Sequence, residues 1–366
     1  MSDLSHQINA RFSAIGVWAF VIALLSGCAT PQIRLIDPPV YPPLPAETRY
    51  VYEGSIRSGN NITVSTFSDR LREFVTGIQV SPLGLAKPYS LVVKNERIYV
   101  SDTQQRAILV FDLQQRTVSS FGMEGKGSLL KPLDLAISKE DEIYVVDISA
   151  KRVAVYDLQG DYLRAIGSAD DFQRPVGIAC HPSKPWVYVV DAGGLESDKH
   201  QILIFDRQSG ALIRKFGTRG REPGQFNLPL QASMSEDARL YVVDSANFRV
   251  QVFDENGEFV STFGQLGRRS GQFSRPKGIA TDKNGNAYIV DTAFGNFQIF
   301  TPQGELLLYI GARATSGGPG MFSLPSGIDV DEQGRIYVVD QFFRKIDIFR
   351  PVEIPPRKVF SSQVRQ

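Results

Sequence analysis

The sequence predicts an all-β fold: a six-bladed β-propeller whose last blade is closed by a strand from the N-terminal end. Three observations predict it. A pattern of 40 to 50 residues recurs six times. Glycine (32 residues) and proline (21 residues) are abundant and aromatic residues make up 10% of the chain, a composition that suits short strands and tight turns. The outermost strand missing from the sixth repeat is found instead near the start of the chain.

Each repeat opens on a proline: Pro88, Pro132, Pro175, Pro229, Pro276 and Pro325. An apolar run follows, then a turn, then a strand of the Tyr-Val-Val-Asp kind ending at Asp102, Asp147, Asp191, Asp244, Asp291 or Asp340. A third strand reaches Phe111, Tyr156, Phe205, Phe253, Phe300 or Phe349, and in the third repeat it arrives late. Segments such as Arg249-Val250-Gln251-Val252-Phe253 have the β-branched and aromatic content of strands. Asp282-Lys283-Asn284-Gly285 and Asp254-Glu255-Asn256-Gly257 suit tight turns. Strands apolar on both faces need cover from both sides, which radial stacking of blades provides. Three residues before each proline stands a large apolar residue, Leu85, Leu129, Phe172, Phe226, Phe273 or Phe322, read as a wedge between neighbouring blades.

Five repeats end in a strand closing on glycine. The sixth runs into Arg350-Pro351-Val352-Glu353-Ile354-Pro355-Pro356, too proline-rich for a paired strand. Arg49-Tyr50-Val51-Tyr52-Glu53-Gly54 has the missing pattern and is expected to supply it. The propeller is therefore expected over 49–357, with a tail at 358–366. A helical insertion is expected at about 66–80, with Ser68 as N-cap and Leu71, Phe74 and Val75 on one face. The repeats resemble NHL repeats, most clearly at 275–311, and the resemblance covers roughly residues 49–350. It implies the propeller fold and says little of function, because propellers host unrelated activities.

The N-terminal residues read as an address. Phe12–Gly27 is uncharged and mostly apolar, follows Arg11, and is shorter than the roughly 20 residues of a spanning helix. It ends in Leu25-Ser26-Gly27-Cys28, which resembles the bacterial lipobox at all four positions. The resemblance implies a signal peptide at 1–27 and a lipid on Cys28 that holds the protein on a membrane. An uncleaved anchor is the alternative. Ala29, rather than Asp, follows the cysteine. In Gram-negative lipoproteins this favours the outer over the inner membrane, so the expected location is the cell envelope. Residues 28–48 hold Pro31, Pro38, Pro39, Pro42, Pro43 and Pro45, and read as an extended tether.

The net charge of +1 gives no reason to expect nucleic acid as partner. Strand order places the loops that link blades, and those after each second strand, on one face of the disc. They are longer and more varied than the turns opposite, so this face is the better candidate for function. The linking loops 123–131, 168–174, 218–228, 265–275 and 312–324 hold nine basic against four acidic residues. Arg219, Arg221, Arg268, Arg269 and Arg275, with Phe294, Phe342 and Phe343, have the composition of a docking patch. A solvated rim with its aromatics folded inward is the alternative. The partner expected is another envelope protein.

Catalysis has thinner support. Six-bladed relatives include gluconolactonase-type lactonases with a central divalent metal and lyases that bind zinc through histidines, which makes a metal-dependent hydrolase or lyase the alternative function. A central metal needs several carboxylate, amide or imidazole ligands from the innermost strands. Of the residues expected to rim the channel, only Asp134 is acidic, and Lys277 would repel a cation. An unfamiliar site would have to be built from Ser90, Asp134 and Gln231. Outside the signal only His181 and His200 remain. Neither a nucleophile elbow nor a phosphate-binding loop appears, and no cofactor is expected. Cys180 reads as a small buried hydrophobe, with a catalytic thiol as the alternative. The six repeated aspartates read as caps of the loops that follow them, or else as a ring of carboxylates.

Overall fold

A computed structural model describes residues 37–63, 83–194 and 196–360. The signal, Cys28 and the expected helix at 66–80 lie outside the described residues. The described chain forms six antiparallel sheets around a central channel. Blade 1 has strands Pro88–Lys94, Arg97–Asp102, Ala107–Asp112 and Thr117–Phe121 from the channel outward. Blades 2 to 5 repeat this order over 132–166, 175–216, 229–263 and 276–310.

Blade 6 takes three strands from the end of the chain, Pro325–Val330, Ile336–Asp340 and Lys345–Pro351. Its fourth is Tyr50–Ile56, paired from Tyr50↔Pro351 to Ile56↔Ile346, so the ring closes as the sequence predicts. The ordered domain begins earlier than residue 49, however. Val40–Tyr41 pairs with Val51 and Tyr50 as a fifth, edge strand, and the Tyr41 ring meets Phe349 edge-on at 5.6 Å. Prolines on either side are compatible with an edge, where one row of backbone groups has no ladder to complete. The first three residues of the expected tail are held as well. Lys358–Phe360 forms a 3-10 turn, and Phe360 is buried among blade 1 and blade 6 residues.

The core lies between blades. Each wedge residue sits in a cluster shared by two neighbours: Leu129 between blades 1 and 2, Phe172 between 2 and 3, Phe226 between 3 and 4. Phe273, Phe322 and Leu85 complete the series. All six are buried. A tyrosine from each second strand, Tyr99 through Tyr337, is buried as well.

Five of the repeated aspartates cap loops in the same way. Asp102 accepts the backbone N–H groups of Ala86 and Lys87 (2.7 and 2.9 Å) and those of Gln104 and Gln105 (3.1 and 3.0 Å). Asp147, Asp191, Asp291 and Asp340 repeat the arrangement. Asp244 differs, holding Asn227 N–H together with the Arg249 guanidinium. These carboxylates tie the loop entering a blade to the loop leaving its second strand, which is why the position repeats.

Candidate functional site: the loop face and the channel

The loops that carry the candidate residues are held firmly from below. In blades 4, 5 and 6 the third strand has a buried polar residue two positions before its phenylalanine: Gln251, Gln298 and Asp347. Each accepts the N–H of a left-handed glycine in the incoming loop: Gly224 at 2.9 Å, Gly271 at 2.8 Å and Gly320 at 3.0 Å. The two glutamines also donate to Gln225 and Gln272 carbonyls. Short parallel pairings, Arg219↔Phe226, Leu266↔Phe273 and Ala312–Arg313 with Met321–Phe322, complete the loops. This pinning was missed from the sequence. Its signal is the pair Gly-Xaa-Phe in the loop and Gln/Asp-Xaa-Phe in the strand.

On these loops Arg219, Arg221, Arg268, Arg269 and Arg275 are all exposed. The side chains of Arg221, Arg268, Arg269 and Arg275 make no hydrogen bond or ion pair with described residues. Phe342 is 64% exposed. Phe343 and Phe294 are half-buried. Phe343 meets Phe342 edge-on at 5.2 Å and lies against Gly317 and Lys345, so it supports the patch more than it forms its surface. Leu266 at 63% and Met321 at 39% add apolar surface on the same loops.

The opposite face has the other sign. Its turns between first and second strands are 95–96, 138–141, 181–185, 235–239, 282–286 and 331–335. Those between third and fourth are 113–116, 158–161, 207–211, 254–258 and 301–305. Together they hold thirteen acidic and seven basic residues.

The channel is narrow because Gly177, Gly278 and Gly327 let inner strands touch. A Cβ at Gly177 would lie 2.2 Å from Leu230 O, and one at Gly278 2.2 Å from Ser326 O. Blades 1, 2 and 4 put Ser90, Asp134 and Gln231 at the equivalent place, and these three do meet. Ser90 Oγ donates to Asp134 Oδ1 at 2.7 Å, Gln231 Nε2 donates to the same oxygen at 3.2 Å, and Ile178 N–H donates to Oδ2 at 3.0 Å. Burial pushes the Asp134 carboxyl up to about 7 against the pull of these donors. The sequence reading missed a second acid, Asp329. It lies at the fifth position of its strand, accepts Val93 N–H at 2.7 Å, and is likewise pushed up to about 7 by burial. Both line a cavity of about 150 Å³. With both Asp134 oxygens already engaged by donors, the cluster reads as a self-satisfied polar plug.

These shifts have a testable sign. The folded pKa of Asp134 lies above the unfolded value near 4, so the folded state holds the proton more tightly. The contribution is greatest below pH 4, falls as pH rises to about 7, and is flat above. Asp134→Asn lacks this titration. Its melting temperature relative to the parent is expected to climb between pH 4 and pH 7, by the equivalent of up to about 4 kcal/mol. A difference constant with pH would contradict the buried, protonatable carboxyl.

The remaining candidates have structural roles. Burial pushes the Cys180 thiol up to about 12, which leaves it un-ionised and poorly nucleophilic. His181 Nδ1 accepts the Ser183 and Lys184 N–H groups, and its Nε2 faces Glu255 at 3.0 Å. His200 Nδ1 accepts Leu228 N–H at 3.2 Å, anchoring the long loop of blade 3. No group of three or more His, Cys, Asp or Glu side chains placed to hold a metal is found among the described residues.

Comparison with known proteins gives the same class. A family model described as a 6-bladed beta-propeller matches residues 83–192 and 231–296. Over 50 residues, 14% of this chain, the sequence is 36% identical to the mouse E3 ubiquitin-protein ligase TRIM32, and the match spans 8% of that protein's length. An auxiliary nutrient binding protein from Bacteroides thetaiotaomicron superposes with a TM-score of 0.58 at 13% identity, over 82% of this chain and 77% of that one. A gluconolactonase from Xanthomonas campestris gives 0.55 at 13% identity, over 73% and 86%. At such identities the likeness shows the fold. The chain is a six-bladed β-propeller.

Proposed function

We propose that this propeller is a binding and assembly module of NHL-repeat type, tethered to the cell envelope by lipid on Cys28, that docks another envelope protein through its loop face without catalysis. The observation that carries the reading is the set of pinned loops of blades 4 to 6, which carry Arg221, Arg268, Arg269 and Arg275 without partners among the described residues together with exposed Leu266 and Phe342. Rigid loops lose little entropy on association, and arginine with exposed aromatics is a favoured interface composition. The likeness to a nutrient-binding protein is compatible with a binding role. Ala29 after the lipidated cysteine supports an outer-membrane location.

A photo-crosslinking residue at position 342 is expected to give discrete protein adducts in intact cells, while one at Glu236 on the opposite face gives none. Adding Arg268→Ala and Arg269→Ala should reduce the adducts tenfold or more without lowering the melting temperature. Adducts that are equal at both positions, or indifferent to the arginines, would count against this face.

The alternative is a metal-dependent hydrolase or lyase of gluconolactonase type. Its support is the convergence of Ser90, Asp134 and Gln231 in the channel. A stoichiometric divalent metal in the purified protein would favour it.

A further inference from the structure

The mouth of the channel on the loop face gathers positive charge that the protein does not neutralise. Four innermost strands are preceded by a basic residue at the same position, directly before the opening proline: Lys87, Lys131, Arg174 and Arg275. All four side chains are exposed, and a fifth cation, Lys277, follows Pro276. The capping aspartates beside them are engaged with backbone. Asp102 takes Lys87 N–H at 2.9 Å, Asp147 takes Lys131 N–H at 3.0 Å, and Asp191 takes Arg174 N–H at 2.7 Å. The five cationic heads make no hydrogen bond or ion pair with described residues.

One of them reaches a ring of another blade, and two more lie within electrostatic range of it. Lys277 Nζ, from blade 5, stands 4.2 Å from the centre of the Tyr89 ring of blade 1. Lys87 of blade 1 lies close enough to repel it. Burial and then the Asp134 carboxyl push the Tyr89 hydroxyl up, and Arg174 of blade 3 lies close enough to pull it down. Blades 1, 3 and 5 alternate around the disc, so the strands that carry the three cations enter the channel from three sides. Burial and the Lys87 charge hold the Lys277 ammonium down to about 8. A cation–π contact offsets part of the cost of such a cluster, but like charges brought together in a half-buried place lack a counter-charge. Asp134 beneath does not supply it, being bound to three donors and held up to about 7.

We propose that this mouth is a binding site for a small multivalent oxyanion, a phosphate ester or a polycarboxylate, held by Lys87, Arg174 and Lys277 over the Tyr89 ring. The site does not depend on the docking patch or on the lipid. The probes are inorganic pyrophosphate and citrate, titrated calorimetrically into the full chain at low salt, where exposed charges are least screened. Saturable one-to-one binding of at least one is expected. Lys277→Gln and Arg174→Gln should each weaken it tenfold or more, Lys277→Arg less than threefold, and Lys139→Gln on the opposite face not at all. Pyrophosphate alone would point to a phosphoryl ligand, and citrate alone to a carboxylate ligand. Absence of saturation with both, or equal weakening by Lys139→Gln, would overturn the site. Melting curves without anion check that the variants are folded.

Discussion

Removal of Arg49–Ile56 is expected to abolish the cooperative melting transition of the propeller. The segment supplies six paired positions to the strand Lys345–Pro351, and without it that strand becomes a bare edge. Ile56 is fully buried between blades 6 and 1, and Val51 is buried in the sheet. The loss extends to charges. Glu53, fully buried at its side chain, pairs with Arg335 at 3.0 Å and accepts the N–H of Arg357. Arg335 is 3% exposed and would be left without its acid. An unpaired buried ion costs several kcal/mol, a large part of the 5–15 kcal/mol that holds a typical domain folded. A matched deletion of Leu212–Phe216, the outer strand of blade 3, removes mostly exposed residues and should leave a lowered but cooperative transition. Calorimetry on both deletions decides the matter. A chain without Arg49–Ile56 that melts as the parent does would refute closure by this strand.

Lys345→Ala is expected to destabilise the protein by about 3–5 kcal/mol, the range for breaking a buried ion pair from one side. Lys345 and Asp347 are fully buried, 2.6 Å apart, with Lys345 Nζ also donating to Gly318 O at 2.7 Å. Asp347 further accepts from Ser55 and from Gly320 N–H. Blades 4 and 5 show the neutral version of this device, a glutamine holding the corresponding glycine. The double variant Lys345→Met/Asp347→Asn keeps an amide acceptor for Gly320 and removes both charges. It should recover most of the lost stability in denaturant unfolding. Equal instability of the single and double variants would mean that packing, not the stranded carboxylate, sets the cost.

What was legible in the sequence was whatever repeats. Prolines, wedge residues, aspartate caps and tyrosines recur with the blades, so one poorly formed copy can be read from five others. Closure by the Arg49–Gly54 segment was legible for the same reason, as the one gap in the pattern. Features that occur once were not. The Val40–Tyr41 edge strand was hidden among prolines that suggest a linker. The strap at Arg357–Phe360 depends on partners from distant parts of the chain, among them Glu53, Glu96, Asp331 and Tyr337. At the candidate site the arginines and Phe342 lie exposed, whereas Phe343 and Phe294 are half-buried, a difference set by packing that composition does not show. Lys277 was read only as a deterrent to metals, because nothing in the linear order shows that it reaches the Tyr89 ring of another blade. Asp329 was overlooked because its depth in the channel depends on where the strand bulges after its proline.

The join between the two ends sets the order of events during synthesis. Glu53 meets Arg335 across 282 positions of sequence, and the turn that carries Phe360 settles on the same seam. Blades 1 to 5 are each built from consecutive residues and can assemble as they emerge. The segment Tyr50–Ile56 must wait, unpaired, until the third strand of blade 6 has appeared. Such distant pairing is slow, and an idle strand edge invites association with other copies. The half-made molecule is thus at its most vulnerable just before Lys345–Pro351 arrives, and a stop codon shortly ahead of Lys345 would leave the toroid permanently open.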